Sequence, residues 1–377
     1  MKIAIINNLY KPYQKGGAEN FCETIINEIK PYNHDCFIIS TKPKTEKKIN
    51  QEPRTYYINS NYYFLNHQTI LYRFFWQVAN IFNFGRAYKL KEILNKEKPD
   101  IIISNNLMGI GLQTFRIIKK TGAKHIHILH DTQLFFPSGL IIQGQEKKVN
   151  SIIAKIYQTI SRFMITSPDL LVSPSQWLLS EHTTRKYFQS SKKIVRKNPI
   201  ILNKEQNIVR DISSTIINFL FIGQIEKHKG IIFLIETFKK INNPNLKLKI
   251  IGNGSLTDKT KKMITNDNQI SFLEFNKEIE NEELKQAHCL IVPSLCYENS
   301  PTVIYKALNF NLPIIASKIG GIPELFNKRQ GLLFIPNNGL DLIEKIEYFS
   351  NNRSLFNYEK QKTVETVYWE ELLKDIN

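Results

Sequence analysis

The sequence predicts an α/β protein of two Rossmann-like, doubly wound domains facing one another across a cleft, each built on a parallel sheet. Three observations carry this. Apolar runs of strand length alternate with helical periodicity along the chain, which is the pattern of a parallel sheet with crossover helices. The alternation breaks in a polar stretch from Asn198 to Thr215 and then restarts. At 377 residues and 42% hydrophobic content, the chain is long enough for two full cores. The boundary is therefore set at 200: an N-terminal domain over 1–200 and a C-terminal domain over 201–364, with a last helix at about 365–377 able to pack back on the first.

Taken in order, Lys2 to Asn7 reads as a buried strand, followed by a loop to Gly16-Gly17 and a helix from about Ala18 to Lys30. A glycine turn between strand and helix lets backbone amides approach a phosphate, because no side chain stands in the way. The pair lacks the GxGxxG spacing of dinucleotide-binding domains. Cys36 to Ile39 is the next strand. Tyr56 to Leu94 is crowded with aromatic residues, and from Thr69 it has helical periodicity, with Ile70, Phe74, Phe75, Val78 and Ile81 on one face. That face is expected to point into the core, with a membrane-surface face as the alternative.

Pro99-Asp100 introduces the strand Ile101 to Ser104, then a helix through Lys120 and the strand His125 to Leu129, which ends in His130-Asp131. His125 and His127 lie within a strand and are read as packing residues. His130, at the carboxyl end, is placed to meet a ligand. Phe135 to Asn150 has no periodicity and reads as a mobile loop. A helix from Ser151 to Thr166, the strand Leu170 to Ser173 and a helix from near Ser175 complete the first half.

The second half opens with the strand Ile217 to Ile222, the turn Gly223 to Gly230 and a helix from Ile231. Further strands are expected at Leu246 to Ile251, Ile270 to Leu273, His288 to Val292, Pro313 to Ala316 and Leu332 to Ile335. Behind His288 to Val292 comes a polar turn with one acid, Glu298, and then a helix start, with Ser300 as the cap and Pro301 at the first helical position. A helix beginning at the carboxyl end of a parallel strand attracts an anion such as a diphosphate. Glu298 either complements the helix dipole or accepts hydrogen bonds from ligand hydroxyls, as in a nucleotide sugar; these residues alone leave both open.

Composition narrows the partners. Residues 1–200 carry 29 Lys and Arg against 13 Asp and Glu, while 201–377 carry 22 against 21, so a basic surface belongs to the first half. Nucleic acid, anionic lipid or a phosphorylated acceptor would suit it, but no helix-turn-helix, zinc spacing or aromatic RNA motif accompanies the charge, so no nucleic-acid partner is expected. Cys22, Cys36, Cys289 and Cys296 show neither zinc nor disulfide spacing and read as small buried residues. No apolar run is long enough to span a membrane and the first residues do not form a signal peptide, so a cytoplasmic protein is expected.

Gly16-Gly17-Ala18-Glu19, Pro99-Asp100 with Asn106-Leu107, Leu129-His130-Asp131, Gly223 to Gly230, Pro293 to Leu308 and Gly320-Gly321-Ile322-Pro323-Glu324 together resemble the retaining GT-B glycosyltransferases of the large family-four type, known from bacterial polysaccharide and lipid-linked glycan synthesis. The resemblance runs the whole length. It implies that the N-terminal domain serves the acceptor and the C-terminal domain a nucleotide-sugar donor, without metal or other cofactor. It makes His130 and Glu298 the residues acting on the donor sugar and Lys229 a diphosphate ligand. It adds Gly16, Gly17, Gly223, Gln224, Asn299, Ser300, Pro301, Thr302 and Lys306 to the donor site. A glycan or lipid-linked acceptor and an anionic membrane surface are the further partners expected, which puts the protein at the inner face of the cell membrane.

Two positions depart from the family's pattern. Gln224 stands where an arginine is usual, and Lys306 where the second of two glutamates is usual; a lysine can only donate where a glutamate would accept. These departures motivate a second reading, a catalytically impaired relative acting as a binding or assembly partner.

Overall fold

In a computed structural model the protein divides into two compact units, and the described residues are 1–13, 17–45, 54–199, 210–211, 213–356 and 368–376. Unit one takes the described residues of Met1–Leu140, Lys147–Pro199 and Glu365–Asn377; unit two takes those of Ile141–Glu146 and Ile200–Val364.

Unit one is built on strands β1 (Lys2–Ile6), β2 (Asp35–Pro43), β3 (Thr55–Ser60), β4 (Ile101–Ser104), β5 (Lys124–Ile128), β6 (Leu170–Ser173) and β7 (Lys192–Val195). Among the described residues they form one parallel sheet of seven strands in the order β3-β2-β1-β4-β5-β6-β7. Its helices are α1 (Gly17–Ile29), α2 (Ile70–Ile81), α3 (Phe84–Glu97), α4 (Thr114–Thr121), α5 (Ile152–Met164) and α6 (Gln176–Thr183). Side chains start several of them as the sequence suggests: Thr69, Ser151 and Ser175 accept from the amides of Tyr72, Ala154 and Leu178. Alternation alone does not mark β3 and β7. They are edge strands, and β7 has two lysines in four residues and no buried position.

Unit two is built on β8 (Ile217–Ile222), β9 (Leu246–Ile251), β10 (Ile270–Leu273), β11 (Cys289–Val292), β12 (Ile314–Ser317) and β13 (Gly331–Phe334), parallel in the order β10-β9-β8-β11-β12-β13. Helices α7 (Ile231–Phe238), α8 (Thr257–Met263), α9 (Lys277–Gln286), α10 (Thr302–Asn309) and α11 (Gly339–Asn351) flank it. Two apolar clusters form its core, one around Phe219, Phe238 and Phe349, the other around Leu290, Ile304 and Ile314.

The last helix, α12 (Tyr368–Ile376), belongs to unit one. Trp369 is fully buried, its amide donates to Glu28 at 2.9 Å, and Glu371 and Asp375 pair with Arg196.

Three readings of the sequence change here. The expected core face of α2 holds at Ile81, which is buried, but fails at Phe75 and Val78, which are exposed, while Trp76, off that face, is buried. Periodicity fixes that a helix has two faces, not which one finds a neighbour. The side chains of Ile70 and Phe74 lie outside the described residues, as does Gly16. The stretch Phe135 to Asn150 is not a loop without contacts: Ile142 forms an antiparallel bridge with Cys296, which attaches 141–146 to unit two. Third, α10 begins at Thr302, with Pro301 as the flanking residue rather than the first helical one. Ser300 does not cap it, because its hydroxyl is bonded to the Tyr305 hydroxyl at 2.6 Å.

Candidate functional site

In unit two the strand order reverses between β8 and β11, and in an open parallel sheet ligands bind at the carboxyl ends of such neighbours. The turn from Gly223 to Gly230 leaves β8, and Pro293-Ser294 leaves β11. The two are packed together: Gly230 has φ +76°, a Cβ there would stand 1.9 Å from the Pro293 carbonyl oxygen, and the Leu295 amide donates to His228 at 2.9 Å.

This packing brings Lys229 to Glu298. The ammonium Nζ lies 2.6 Å from Glu298 Oε1, and the Ser294 hydroxyl donates to the same oxygen at 2.9 Å. Both side chains are half-buried. Burial by itself pulls the Lys229 pKa down, but the Glu298 carboxylate outweighs it and holds the pKa above its ordinary value. The late glycine motif supports the acid from behind: Gly320 has φ +58°, a Cβ on it would fall 2.2 Å from the Glu298 carbonyl, and the Gly321 amide donates to that carbonyl at 2.8 Å. Asn299 is buried beside the pair, whereas Gln224 and Thr302 are exposed.

Lys306 does not join this group. Its ammonium binds both carboxylate oxygens of Glu280 on α9, at 2.7 and 2.8 Å, and that carboxylate is buried. A lysine in place of an acid at this position therefore answers a neighbouring helix.

The first half of the chain contributes residues that no local pattern revealed. The Tyr297 amide donates to Ile141, the Gln143 amide to Leu295, the Gln143 side chain to Pro336, and the Tyr297 hydroxyl to Glu146 at 3.0 Å. The turn just ahead of Glu298 is thus clamped by a segment more than 140 residues earlier in sequence, counted from its bond partner Glu146 at a separation of 151.

In unit one the reversal lies between β1 and β4, and an asparagine cluster fills it. The Asn105 amide donates to Ile6, the Asn8 amide to Asn106, and the Asn106 amide to the Asn7 side chain. His130 joins through Nε2, 2.9 Å from Asn105 Oδ1, with its ring edge-on to Phe21. Burial lowers its pKa to about 4, so the imidazole is neutral near pH 7. Burial also raises Asp131 to about 6, against the opposing bonds from Gln133 and Asn106. His125 and His127 are buried on Ser104, at 2.7 and 2.8 Å, as their positions inside β5 imply. Gly17 is the first residue of α1.

Two family models cover nearly the whole chain: Glycosyltransferase Family 4 over residues 15–203 and Glycosyl transferases group 1 over residues 204–365. The protein belongs to the family-four glycosyltransferases. Among relatives of this glycosyltransferase, a 42.6 kDa protein of the cps region of Klebsiella pneumoniae is 24% identical over 95% of this chain and 96% of its own. A putative teichuronic acid biosynthesis glycosyltransferase of Bacillus subtilis is 21% identical over 94% and 90%. Among solved structures, the lipopolysaccharide outer core galactosyltransferase WaaB superposes with a TM-score of 0.71 at 17% identity, covering 100% of this chain and 99% of that one. Anabaena HepE in complex with UDP gives 0.68 at 16%, over 94% and 91%. The fold of the glycosyltransferase is accordingly GT-B, with its two Rossmann-like units. Among the described residues no three His, Cys, Asp or Glu side chains converge as a metal site, and no helix is long and apolar enough to cross a membrane.

Proposed function

We propose that this glycosyltransferase is retaining and metal-independent, moving a sugar from a nucleotide diphosphate to a hydroxyl of a glycan or lipid-linked acceptor in cell-surface polysaccharide synthesis. The observation that carries the reading is the Lys229–Glu298 pair at the reversal point of the unit-two sheet, a cation for the diphosphate beside a carboxylate for sugar hydroxyls. On binding, the donor's diphosphate takes over Lys229, and Glu298 is released to accept from the sugar. The backbone amides of Asn299 and Ser300, just ahead of α10, and of Thr302 at its start add donors for the departing phosphate. Neutral His130 is assigned to the sugar as a hydrogen-bonding group rather than a cation. Gln224 offers an amide where a second charge would stand, which leaves Lys229 as the principal phosphate cation.

The polysaccharide context is supported by the cps-region and teichuronic acid relatives, and the nucleotide-sugar donor by HepE, whose structures hold UDP, UDP and glucose, or UDP-glucose. The basic first half, net +16 against +1 for the second, supports peripheral attachment to an anionic inner membrane face. The test is transfer from a panel of nucleotide sugars to lipid-linked acceptors, with chelator present and the product anomer read by NMR. Retained anomeric configuration and full rate in chelator are expected. Inversion, a strict metal requirement, or no turnover of any donor would each overturn the corresponding part.

A further inference from the structure

Helix α5 carries more apolar surface than its packing uses. It buries Ala154 and Met164 together with Gln158 and Ser161, which bond to the Val149 carbonyl and the Tyr187 hydroxyl, and turns Ile152, Ile153, Ile156 and Phe163 to solvent. Four large apolar side chains on the outer face are more than a helix facing water alone would carry. Near its end, α3 and α4 meet it around an open notch of about 580 Å³. The apolar wall of the notch is Phe84, Tyr88 and Phe163, exposed by 72%, 71% and 73%. Phe163 is held in place: the Arg116 guanidinium lies over its ring at 4.6 Å from the centroid and bonds its carbonyl.

The rim is basic. Lys91, Arg116 and Lys120 line the notch, and among the described residues no carboxylate pairs with any of them. Helices α3, α4 and α5 together carry nine Lys or Arg against two Glu, Glu92 and Glu97, which are bonded to Lys89 and Lys2. An apolar wall and cations without a carboxylate partner at one opening match a ligand with an anionic head and an apolar tail, and the volume is that of an ordinary small-molecule site. A protein partner fits less well, since interface centres are depleted of lysine.

We infer that the α3–α4–α5 notch seats one anionic membrane lipid, its phosphate on Lys91, Arg116 and Lys120 and its chain along Phe84, Tyr88 and Phe163, with the α5 isoleucines entering the interface beside it. This rests on the membrane reading above and moves the contact from the aromatic helix α2 to α5 and its neighbours. Burying an apolar helix face at a bilayer surface and neutralising nearby cations act together there.

The full chain is sedimented with vesicles of phosphatidylcholine alone or mixed with phosphatidylglycerol. Three variants are compared: Lys91→Gln with Lys120→Gln, Phe84→Ser with Phe163→Ser, and Tyr72→Ser with Phe75→Ser on α2. Circular dichroism checks that each is folded. Binding to the anionic vesicles is expected to fall roughly tenfold or more in the first two and to stay within about twofold in the third. Soluble dihexanoylphosphatidylglycerol should saturate the wild type where inorganic phosphate does not. If the α2 variant loses binding while the notch variants keep it, or if phosphate alone competes equally, the seated lipid is overturned and membrane attachment stands. If the wild type ignores anionic vesicles, both fall and sugar transfer is untouched.

Discussion

The carboxyl edges of the two sheets hold acid–base groups of opposite character. In unit one, burial drives both His130 and Asp131 towards their neutral forms, at about 4 and about 6. In unit two, Lys229 and Glu298 form an ion pair at 2.6 Å, and the carboxylate keeps the lysine charged against its own burial. The same topological place thus yields an edge whose charged forms burial disfavours or one whose charges are paired, depending on whether a counter-charge is supplied. A third pair, Lys306–Glu280, has the chemistry of the second but links two helices, α9 and α10. Charge type does not distinguish the two pairs; position at the sheet's reversal does, and it is what singles out Lys229–Glu298 for the proposed donor site.

The largest effect is expected from Glu298→Gln, which keeps the shape and removes the counter-charge. Transfer should fall roughly 10²- to 10³-fold, as for loss of one preorganised polar group, with the far-ultraviolet spectrum unchanged. Ordinary turnover would place the chemistry elsewhere.

Lys306→Glu should act on the fold instead. It sets a second carboxylate against buried Glu280, and because Lys306 is half exposed the cost is about 1–2 kcal/mol, read as a lower urea midpoint. The double variant Lys306→Glu with Glu280→Lys should recover most of it. If the single variant is neutral to stability but alters nucleotide affinity, Lys306 belongs with the donor after all.

The unpaired buried edge has a pH signature. The folded pKa of Asp131 is raised, so its protonated form stabilises the fold; that contribution is complete below about pH 3.8 and is lost as pH rises through about 6. Asp131→Asn should therefore be more stable than wild type near pH 7 by up to roughly 3 kcal/mol, the gap closing below pH 4. His130 is depressed, so its contribution is present above about 6.5 and is lost as pH falls through about 4. Its ring resonances should not titrate between about pH 5.5 and 8. Titration near 6.5 would show a hydrated edge.

The smallest effect is expected from Tyr297→Phe, which deletes the hydroxyl bonded to Glu146 and loosens the clamp ahead of Glu298. A loss of about 0.5–1.5 kcal/mol, seen as a few-fold weaker donor binding, is expected from isothermal calorimetry. A larger loss in maximal rate than in affinity would mean that the clamp orients Glu298 during transfer.

The residue order already contained the strand–helix alternation, because a buried parallel strand needs an unbroken apolar run and its crossover helix an apolar stripe. It also singled out His130 and Glu298 as candidates, since each lies in a turn that follows such a run. What it left to the tertiary structure are facts about partners. Whether Phe75 is core or surface depends on what packs over α2, and whether Lys306 answers a ligand or Glu280 depends on where α9 lies. The clamp of 141–146 on 295–297 and the exposure of Ile152, Ile153 and Ile156 on α5 are likewise invisible to local pattern. A period of hydrophobicity states how residues are spaced around one element; only the packed chain decides which groups, far apart in sequence, come within a hydrogen bond of each other.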